Sequence, residues 1–352
     1  MEAVDVRGRF VWHQLMTRDV PGAKKFYSKL VGWKTMPWPL DPSYTVCHAD
    51  VGPVAGIAEI SAELPRDVPP HWVQYIGTRD VDGTADAAVR AGGSLMKAPS
   101  DMQGAGRYAV LKDPQGALFA IIDPENARPE TDGPAALGTF SWHELATTDN
   151  EAAFAFYSAL FGWDVMQRMD MGPVGVYLIF GQNGVQRGGI YIKPAVSQGP
   201  PSWLPYARVP SADKGFALAT SSGATEMVAP MDVPGGSRIA SVSDPSGAAF
   251  AIHSLAAVAA TGTSPASPAA KPKPKAKATA TATAAKAPPK AKAKAKAKVK
   301  AKAKAKVKVK AKPAKKPAAK KKRVVKKAAK KVARKAARKP AMKKSKTGRR
   351  KK

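Results

Sequence analysis

The stretch Phe10–Trp33 reads FVWHQLMTRDVPGAKKFYSKLVGW, and the chain repeats it 130 residues later as Phe140–Trp163, FSWHELATTDNEAAFAFYSALFGW. Thirteen of the 24 positions are identical. Further along the chain, Arg107–Ile121 (RYAVLKDPQGALFAI) matches Arg238–Ile252 (RIASVSDPSGAAFAI) at an offset of 131. An offset that stays almost constant between motifs so far apart indicates two copies of one domain. We assign the copies to residues 8–126 and 138–256, and the intervening 127–137, which contains Pro, Gly and charged residues, to a linker.

Each copy shows the same order of predicted elements. An alternating strand is followed by Asp19, whose carboxylate can accept from the free N–H groups of a first helical turn. The helix that follows has an apolar stripe at helical spacing, formed by Ala23, Phe26, Tyr27 and Leu30. Further strands, a second helix and a DPxG turn complete the copy. Each copy is therefore expected to contain two βαβββ units.

Three motifs in each copy resemble those of the vicinal oxygen chelate superfamily, which includes glyoxalase I, bleomycin-resistance proteins and extradiol dioxygenases. They are WHxLxTxD in the first strand, AxxFYSxLxGW in the helix and DPxGAxFAI near the end. The resemblance covers residues 8–256 and implies an α+β fold in which paired βαβββ units form curved sheets around an open cup. Members include lyases, isomerases, oxygenases and binding proteins, so the fold leaves the activity open.

The resemblance also implies where metal ligands would lie. Metal-using members carry a His or Gln in the first strand and a Glu in the last, and a further ligand position lies in the inner strand. The corresponding residues here are Trp12, Val73 and Ala120 in copy one and Trp142, Leu204 and Ala251 in copy two. None of these side chains can bind a metal ion, so we expect no cofactor.

His13 and His143 lie one residue beyond the first of these positions. A β-bulge or a shift of one residue would turn them into the cups, and a divalent metal and lyase or dioxygenase chemistry would follow. The alternative is that they pack or form hydrogen bonds on the helix-facing side of the strand.

Strand alternation places aromatic and polar side chains in each cup. Such a surface suits a small, flat organic ligand, and an arginine before each DPxG turn could pair with an anionic group on it. The alternatives are ordinary core packing for the aromatic residues and surface ion pairs for the arginines. Glu144 is the only carboxylate expected in a cup, and burial could make it a general base. The predicted ligand-binding residues are Trp12, Gln14, Tyr75, Arg107, Trp142, Glu144, Tyr206 and Arg238.

Charge is distributed very unevenly along the chain. Residues 261–352 hold 38 of the 58 Lys and Arg residues and no Asp or Glu, which leaves 20 basic and 26 acidic residues in the rest of the chain. This Lys/Ala/Pro-rich tail has no aromatic residues and is predicted to be disordered. Its composition resembles that of linker-histone tails. We expect it to bind DNA or RNA through its charge, without sequence preference.

The predicted nucleic-acid contacts are Lys292, Lys294, Lys320, Lys321, Lys322, Arg323, Lys326, Lys327, Arg334, Arg338, Arg349 and Arg350. The single cysteine excludes an intrachain disulfide, and neither a secretory signal nor a membrane span is evident. We therefore expect a cytoplasmic, nucleoid-associated protein with no membrane partner. The sequence leaves open whether the body is a metal-free ligand binder, a metal-dependent enzyme or an inactive architectural module, and whether the cups form alone or by dimerisation.

Overall fold

A computed structural model describes residues 4–130, 133–195, 197 and 199–255. The basic tail, with every nucleic-acid contact predicted in it, lies outside the described residues. The first half contains β1 (Phe10–Thr17), α1 (Val20–Leu30), β2 (Lys34–Trp38), β3 (Asp41–Ala49), β4 (Gly52–Glu59), β5 (His71–Gly77), α2 (Val81–Arg90), β6 (Ser94–Met102), β7 (Gly106–Lys112) and β8 (Leu118–Pro124). The second half contains β9 (Phe140–Thr147), α3 (Asn150–Phe161), β10 (Asp164–Asp170), a short 3-10 helix (Gly172–Val174), β11 (Val176–Gln182), β12 (Val185–Ile192), β13 (Ser202–Arg208), α4 (Ala212–Ser221), β14 (Thr225–Val233), β15 (Ser237–Ser243) and β16 (Ala249–Leu255).

Each half forms one eight-stranded mixed sheet. The strand order is β2-β3-β4-β1-β5-β8-β7-β6 in the first half, and the second half repeats it as β10-β11-β12-β9-β13-β16-β15-β14. The first strands of the two βαβββ units, β1 and β5, lie side by side and antiparallel at the centre of the sheet. The predicted α+β fold of tandem domains, each with two βαβββ units, is confirmed.

The helices begin where the sequence provides a capping side chain. The carboxylate of Asp19 accepts a hydrogen bond from the N–H of Gly22 at 2.9 Å, as predicted. Asp80 caps α2 in the same way, so this helix begins at Val81. The residues of α1 that are buried are those of the predicted apolar stripe.

Residues of both halves share each of the two main core clusters, while each helix also packs against the sheet of its own half. One core cluster combines Phe26 and Leu30 of α1 with Phe250 and Ile252 of β16. The other combines the α2 and β8 region of the first half with α3, β11 and β12 of the second. Burial of this apolar surface stabilises both halves together, because neither cluster is complete within one half.

A buried hydrogen-bond chain joins the two halves at each cluster. Tyr157 donates to Asp113 of the first DPxG turn at 3.1 Å and accepts from Trp203 at 3.0 Å. The equivalent chain runs from Trp72 to Tyr27 at 3.1 Å and on to Asp244 of the second DPxG turn at 2.8 Å. Burial raises the pKa of Tyr157 and that of Asp113.

Tryptophans at the ends of the helical motifs make further contacts between the halves. The Trp33 indole donates to the carbonyl of Gly138 at 2.7 Å, and the Trp163 indole donates to the carbonyl of Gly8 at 2.8 Å. Much of the repeated motif therefore stabilises the association of the two halves.

Candidate ligand-binding cups

The first cup contains a hydrogen-bond network around Gln14. The Trp12 indole donates to the Tyr44 hydroxyl at 2.9 Å. Tyr44 and Tyr75 both donate to Oε1 of Gln14, at 3.3 and 3.0 Å. The amide nitrogen of Gln14 contacts the sulfur of Met16 at 2.9 Å. Trp12, Gln14 and Tyr75 therefore lie on one face of the sheet, as strand alternation predicted.

The second cup repeats the network with a carboxylate at its centre. The Trp142 indole donates to the Tyr177 hydroxyl at 3.0 Å. Tyr177 donates to one oxygen of Glu144 at 2.6 Å, and Tyr206 donates to the other at 2.8 Å. Ala146 stands where the first cup has its methionine. The aromatic ring of Tyr191 stacks on that of Tyr177.

The carboxyl group of Glu144 has an altered acidity. Burial raises its pKa, and the hydrogen bonds from Tyr177 and Tyr206 oppose this effect only in part. Burial and the nearby carboxylate raise the pKa of both tyrosines, so they remain protonated donors. An ionised Glu144 is accordingly a stronger base than an exposed glutamate, and it lies at the centre of this hydrogen-bond network.

Sequence reasoning missed Tyr44 and Tyr177, because β3 and β11 share no obvious motif. A spacing in the sequence would have revealed them: each tyrosine precedes a glycine, Gly56 or Gly189, by 12 residues. A Cβ atom added to Gly56 would lie 1.8 Å from the Tyr44 hydroxyl, and one added to Gly189 would lie 2.0 Å from that of Tyr177. The glycines are required because the tyrosine side chains lie across the backbone.

The expected metal-ligand positions do face a cup. In the first half, Val73 and Ala120 belong to one apolar cluster, and Trp12 packs against it. These side chains offer no atom that coordinates a metal ion. Within the described part of the chain, no three His, Cys, Asp or Glu side chains lie close enough together to bind a metal ion. The residues present therefore do not fit a divalent metal centre.

His13 and His143 lie on the face of the sheets opposite the cups, which is the second of the two placements that the sequence allowed. Both are buried, and their Nε2 atoms are 2.7 Å apart between the two halves. The His143 ring stacks on Phe10 with centroids 3.6 Å apart, and the His13 ring stacks on Phe140 at the same distance. The irregularity in the register of β1 falls between Phe10 and Trp12 and does not bring His13 into the cup.

Burial disfavours the charged form of both histidines. His143 donates through Nδ1 to the carbonyl of Arg187 at 3.2 Å, and the Nε2 atoms of the two rings face each other. Burial lowers the pKa of His143 to about 3 and also lowers that of His13.

The structure places the predicted anion-binding arginines in ion pairs outside the tyrosine networks. Nε and Nη2 of Arg107 donate to both oxygens of Asp82, at 2.6 and 2.8 Å, and Nη1 donates to Asp101 at 2.9 Å. Arg238 makes the same contacts with Asp213 and Asp232. These are the surface ion pairs of the alternative interpretation, because carboxylates of the chain itself already bind the guanidinium donors.

The two cups differ in how their rims meet. A Cβ added to Gly104, in the β6–β7 hairpin, would lie 2.5 Å from Leu40 and 3.4 Å from Trp38 in the β2–β3 hairpin. These hairpins therefore touch across the first cup. In the corresponding β14–β15 hairpin, a Cβ added to Gly235 or Gly236 would meet no described atom within 4 Å.

Comparisons with known proteins agree with this architecture. Residues 9–121 match the family model for the glyoxalase/bleomycin resistance protein/dioxygenase superfamily. The protein CFP32 of Mycobacterium tuberculosis, provisionally named a glyoxylase, is 32% identical over 244 residues, which is 68% of this chain and 92% of that protein. The chain belongs to this superfamily.

More distant relatives show the range of the superfamily. The anthracycline biosynthesis protein DnrV of Streptomyces peucetius is 29% identical over 273 residues, covering 70% of this chain and 94% of that protein. The Mn(II)-bound glyoxalase of Novosphingobium aromaticivorans superposes with a TM-score of 0.51 at 16% identity, covering 70% of this chain and 82% of that one. The 2,3-dioxygenase LapB of Pseudomonas sp. KL28 superposes with a TM-score of 0.52 at 11% identity, covering 72% of this chain and 94% of that one. These two structures share the fold. None of the four helices in the described part of the chain has both the length and the apolar character needed to cross a lipid bilayer.

Proposed function

We propose that the body binds a small, flat organic ligand in its second cup without a metal ion. The observation that carries this proposal is the half-buried carboxylate of Glu144, held by Tyr177 and Tyr206 in an aromatic setting. A polar ligand atom with a proton to donate would meet that carboxylate, and a planar ring would lie along the indole of Trp142. The relative named for anthracycline biosynthesis is consistent with an aromatic ligand.

Glu144 is also the residue proposed to remove a proton from such a ligand. Its raised pKa makes the ionised carboxylate a stronger base than that of an exposed glutamate. The first cup has Gln14 in this place, and an amide cannot act as a base. Any proton transfer is therefore proposed for the second cup alone.

Thermal denaturation of the full chain with a library of planar aromatic compounds tests ligand binding. A ligand at one hundred times its Kd should add about 2.7 kcal/mol to the free energy of unfolding. We expect E144Q to lose this stabilisation and Q14E, the matched change in the first cup, to keep it. Equal stabilisation of the wild type and E144Q would refute the assignment to the second cup.

Elemental analysis of the purified protein tests the metal-free state. Less than one equivalent of any divalent metal after incubation with nickel, zinc, iron and manganese salts is expected. Stoichiometric binding would instead favour the metal-dependent lyase or dioxygenase alternative.

We also propose that residues 261–352 bind DNA or RNA and associate the protein with the nucleoid. The support is in the sequence, which has 38 basic and no acidic residues in this segment. Binding driven by counterion release should weaken by about 10³-fold or more between 50 and 200 mM salt. Deletion of 261–352 should abolish DNA retention while circular dichroism of the body is unchanged. Tight DNA binding by the truncated protein would contradict this division of roles.

A further inference from the structure

A cleft of about 440 Å³ lies between the segment preceding β1, the linker and the β11–β12 turn. It shares no residue with the hydrogen-bond network of either cup. Its charged lining consists of three arginines and two carboxylates: Arg7, Arg9, Arg187, Asp5 and Glu130.

Arg187 is the most deeply buried of these charged groups. Its side chain is 9% exposed, and its two Nη atoms donate to the two oxygens of Glu130 at 2.7 and 3.1 Å. The Nε–H of Arg187 is buried and has no hydrogen-bond partner among the described residues. A buried guanidinium donor without an acceptor is costly.

Arg9 adds a second guanidinium whose charge is only partly compensated. Its Nη atoms donate to the main-chain carbonyls of Asp5 and Arg128, each at 2.9 Å. Burial and the positive charge of Arg187 lower the pKa of Arg9, although Glu130 and Asp5 oppose the change. Carbonyls carry no formal charge, so among the described residues that line the cleft three guanidiniums share two carboxylates, and one positive charge is left over.

The internal duplication shows that the fold does not require these charges. Arg9 corresponds to Thr139 at the offset of the repeat. Arg187 corresponds to Val54, because β4 pairs with β1 as β12 pairs with β9: Gly56 lies opposite Gln14 as Gly189 lies opposite Glu144. The same architecture is therefore built at the equivalent place with two uncharged residues.

We propose that this cleft binds a small phosphate-bearing metabolite through Arg9 and Arg187. Glu130 already accepts from both Nη atoms of Arg187. The groups left without a carboxylate partner are the Nε–H of Arg187 and the guanidinium of Arg9. A tetrahedral phosphate offers acceptor oxygens on several sides and enough charge to neutralise the surplus. The volume of the cleft leaves room for an organic group beside the phosphate.

Calorimetric titration of the full-length chain with inorganic phosphate and with pyrophosphate, at constant ionic strength, tests this proposal. Lysines of residues 261–352 also attract phosphate, but every variant retains them, so differences between variants report on the cleft. The informative changes are R9T and R187V, which introduce the residues found at the equivalent positions. R168Q removes an exposed arginine that pairs with Glu151 elsewhere, and it is the control with matched charge.

We expect R9T and R187V each to weaken the tightest phosphate-binding site at least about tenfold. R187K, which keeps the charge without the planar fork, should also be weakened, and R168Q should bind like the wild type. Unchanged phosphate affinity in R9T would overturn the proposal. Tighter binding of succinate than of phosphate at the site lost in R9T would also overturn it, because the site would then select carboxylates. If circular dichroism shows that R187V is unfolded, R9T and R187K decide the outcome.

Discussion

The buried pair formed by His13 and His143 should make the stability of the protein sensitive to mild acid. Burial favours the neutral form of both imidazoles in the folded state, because it lowers the pKa of His143 to about 3 and lowers that of His13 as well. In the unfolded chain both have ordinary values near 6.5. Protons therefore bind the unfolded state more strongly, and stability is lost as the pH falls below about 6.5, until the folded pKa is reached.

The size of the effect follows from the difference in proton binding. A pH of 5 is about 1.5 units below the pKa of an unfolded histidine. Protonation of the unfolded chain then lowers the free energy of unfolding by about 2 kcal/mol per histidine. Because of the two histidines, the free energy of unfolding should thus fall by about 4 kcal/mol between pH 7.5 and 5. This is a large share of the 5–15 kcal/mol by which domains are usually stable.

Urea denaturation of the full chain at both pH values measures the loss. The double variant H13Q/H143Q removes the titration and keeps groups that can donate and accept, so its stability should fall about 4 kcal/mol less than that of the wild type. H71Q removes a histidine outside the core and serves as the control. If the wild type and the double variant lost the same stability on acidification, the neutral buried pair would be refuted.

Three further changes test other parts of the structure. Y157F should lower the free energy of unfolding by about 2–3 kcal/mol, because it leaves the buried carboxylate of Asp113 without its phenol donor; denaturant titration checks this. The raised pKa of Glu144 stabilises the folded state below the unfolded pKa, and this stabilisation is lost as the pH rises through the folded pKa. The free energy of unfolding of E144Q should therefore rise relative to that of the wild type between pH 4 and 7.5. A difference that does not change with pH would contradict the burial effect. G8A should be more destabilising than G184A by about 1–3 kcal/mol in thermal denaturation: both glycines have a positive φ, but a Cβ on Gly8 would lie 2.8–3.0 Å from neighbouring atoms, whereas none lies within 4 Å at Gly184.

The sequence predicts those features that depend on local pattern. The repeat and strand alternation place Trp12 and Gln14 on the cup face, and the cap at Asp19 sets the start of α1. The apolar stripe of α1 is also evident, but periodicity reports that a face is buried and not what covers it. Its packing against Phe250 in the other half follows from long-range topology and could not be read from the sequence.

The predicted role of the arginines shows another limit of local reasoning. A guanidinium near a proposed site suggests an anionic ligand, but its partners are set by distant elements. Arg107 lies 25 residues from Asp82 and 6 from Asp101, and Arg238 has aspartates at the same two spacings. Comparing the acidic residues of the two copies would have indicated these ion pairs in advance.

The interleaved core bears on how such a protein could arise. A single half leaves part of each core cluster exposed, so a half on its own would need a second copy to cover that surface. In a homodimer of identical halves every substitution would appear twice, once on each side of the symmetry axis. Within one chain the two copies can differ, as they do at Gln14/Glu144 and Arg9/Thr139. A fused chain can thus keep one cup as a structural support while the other acquires chemistry.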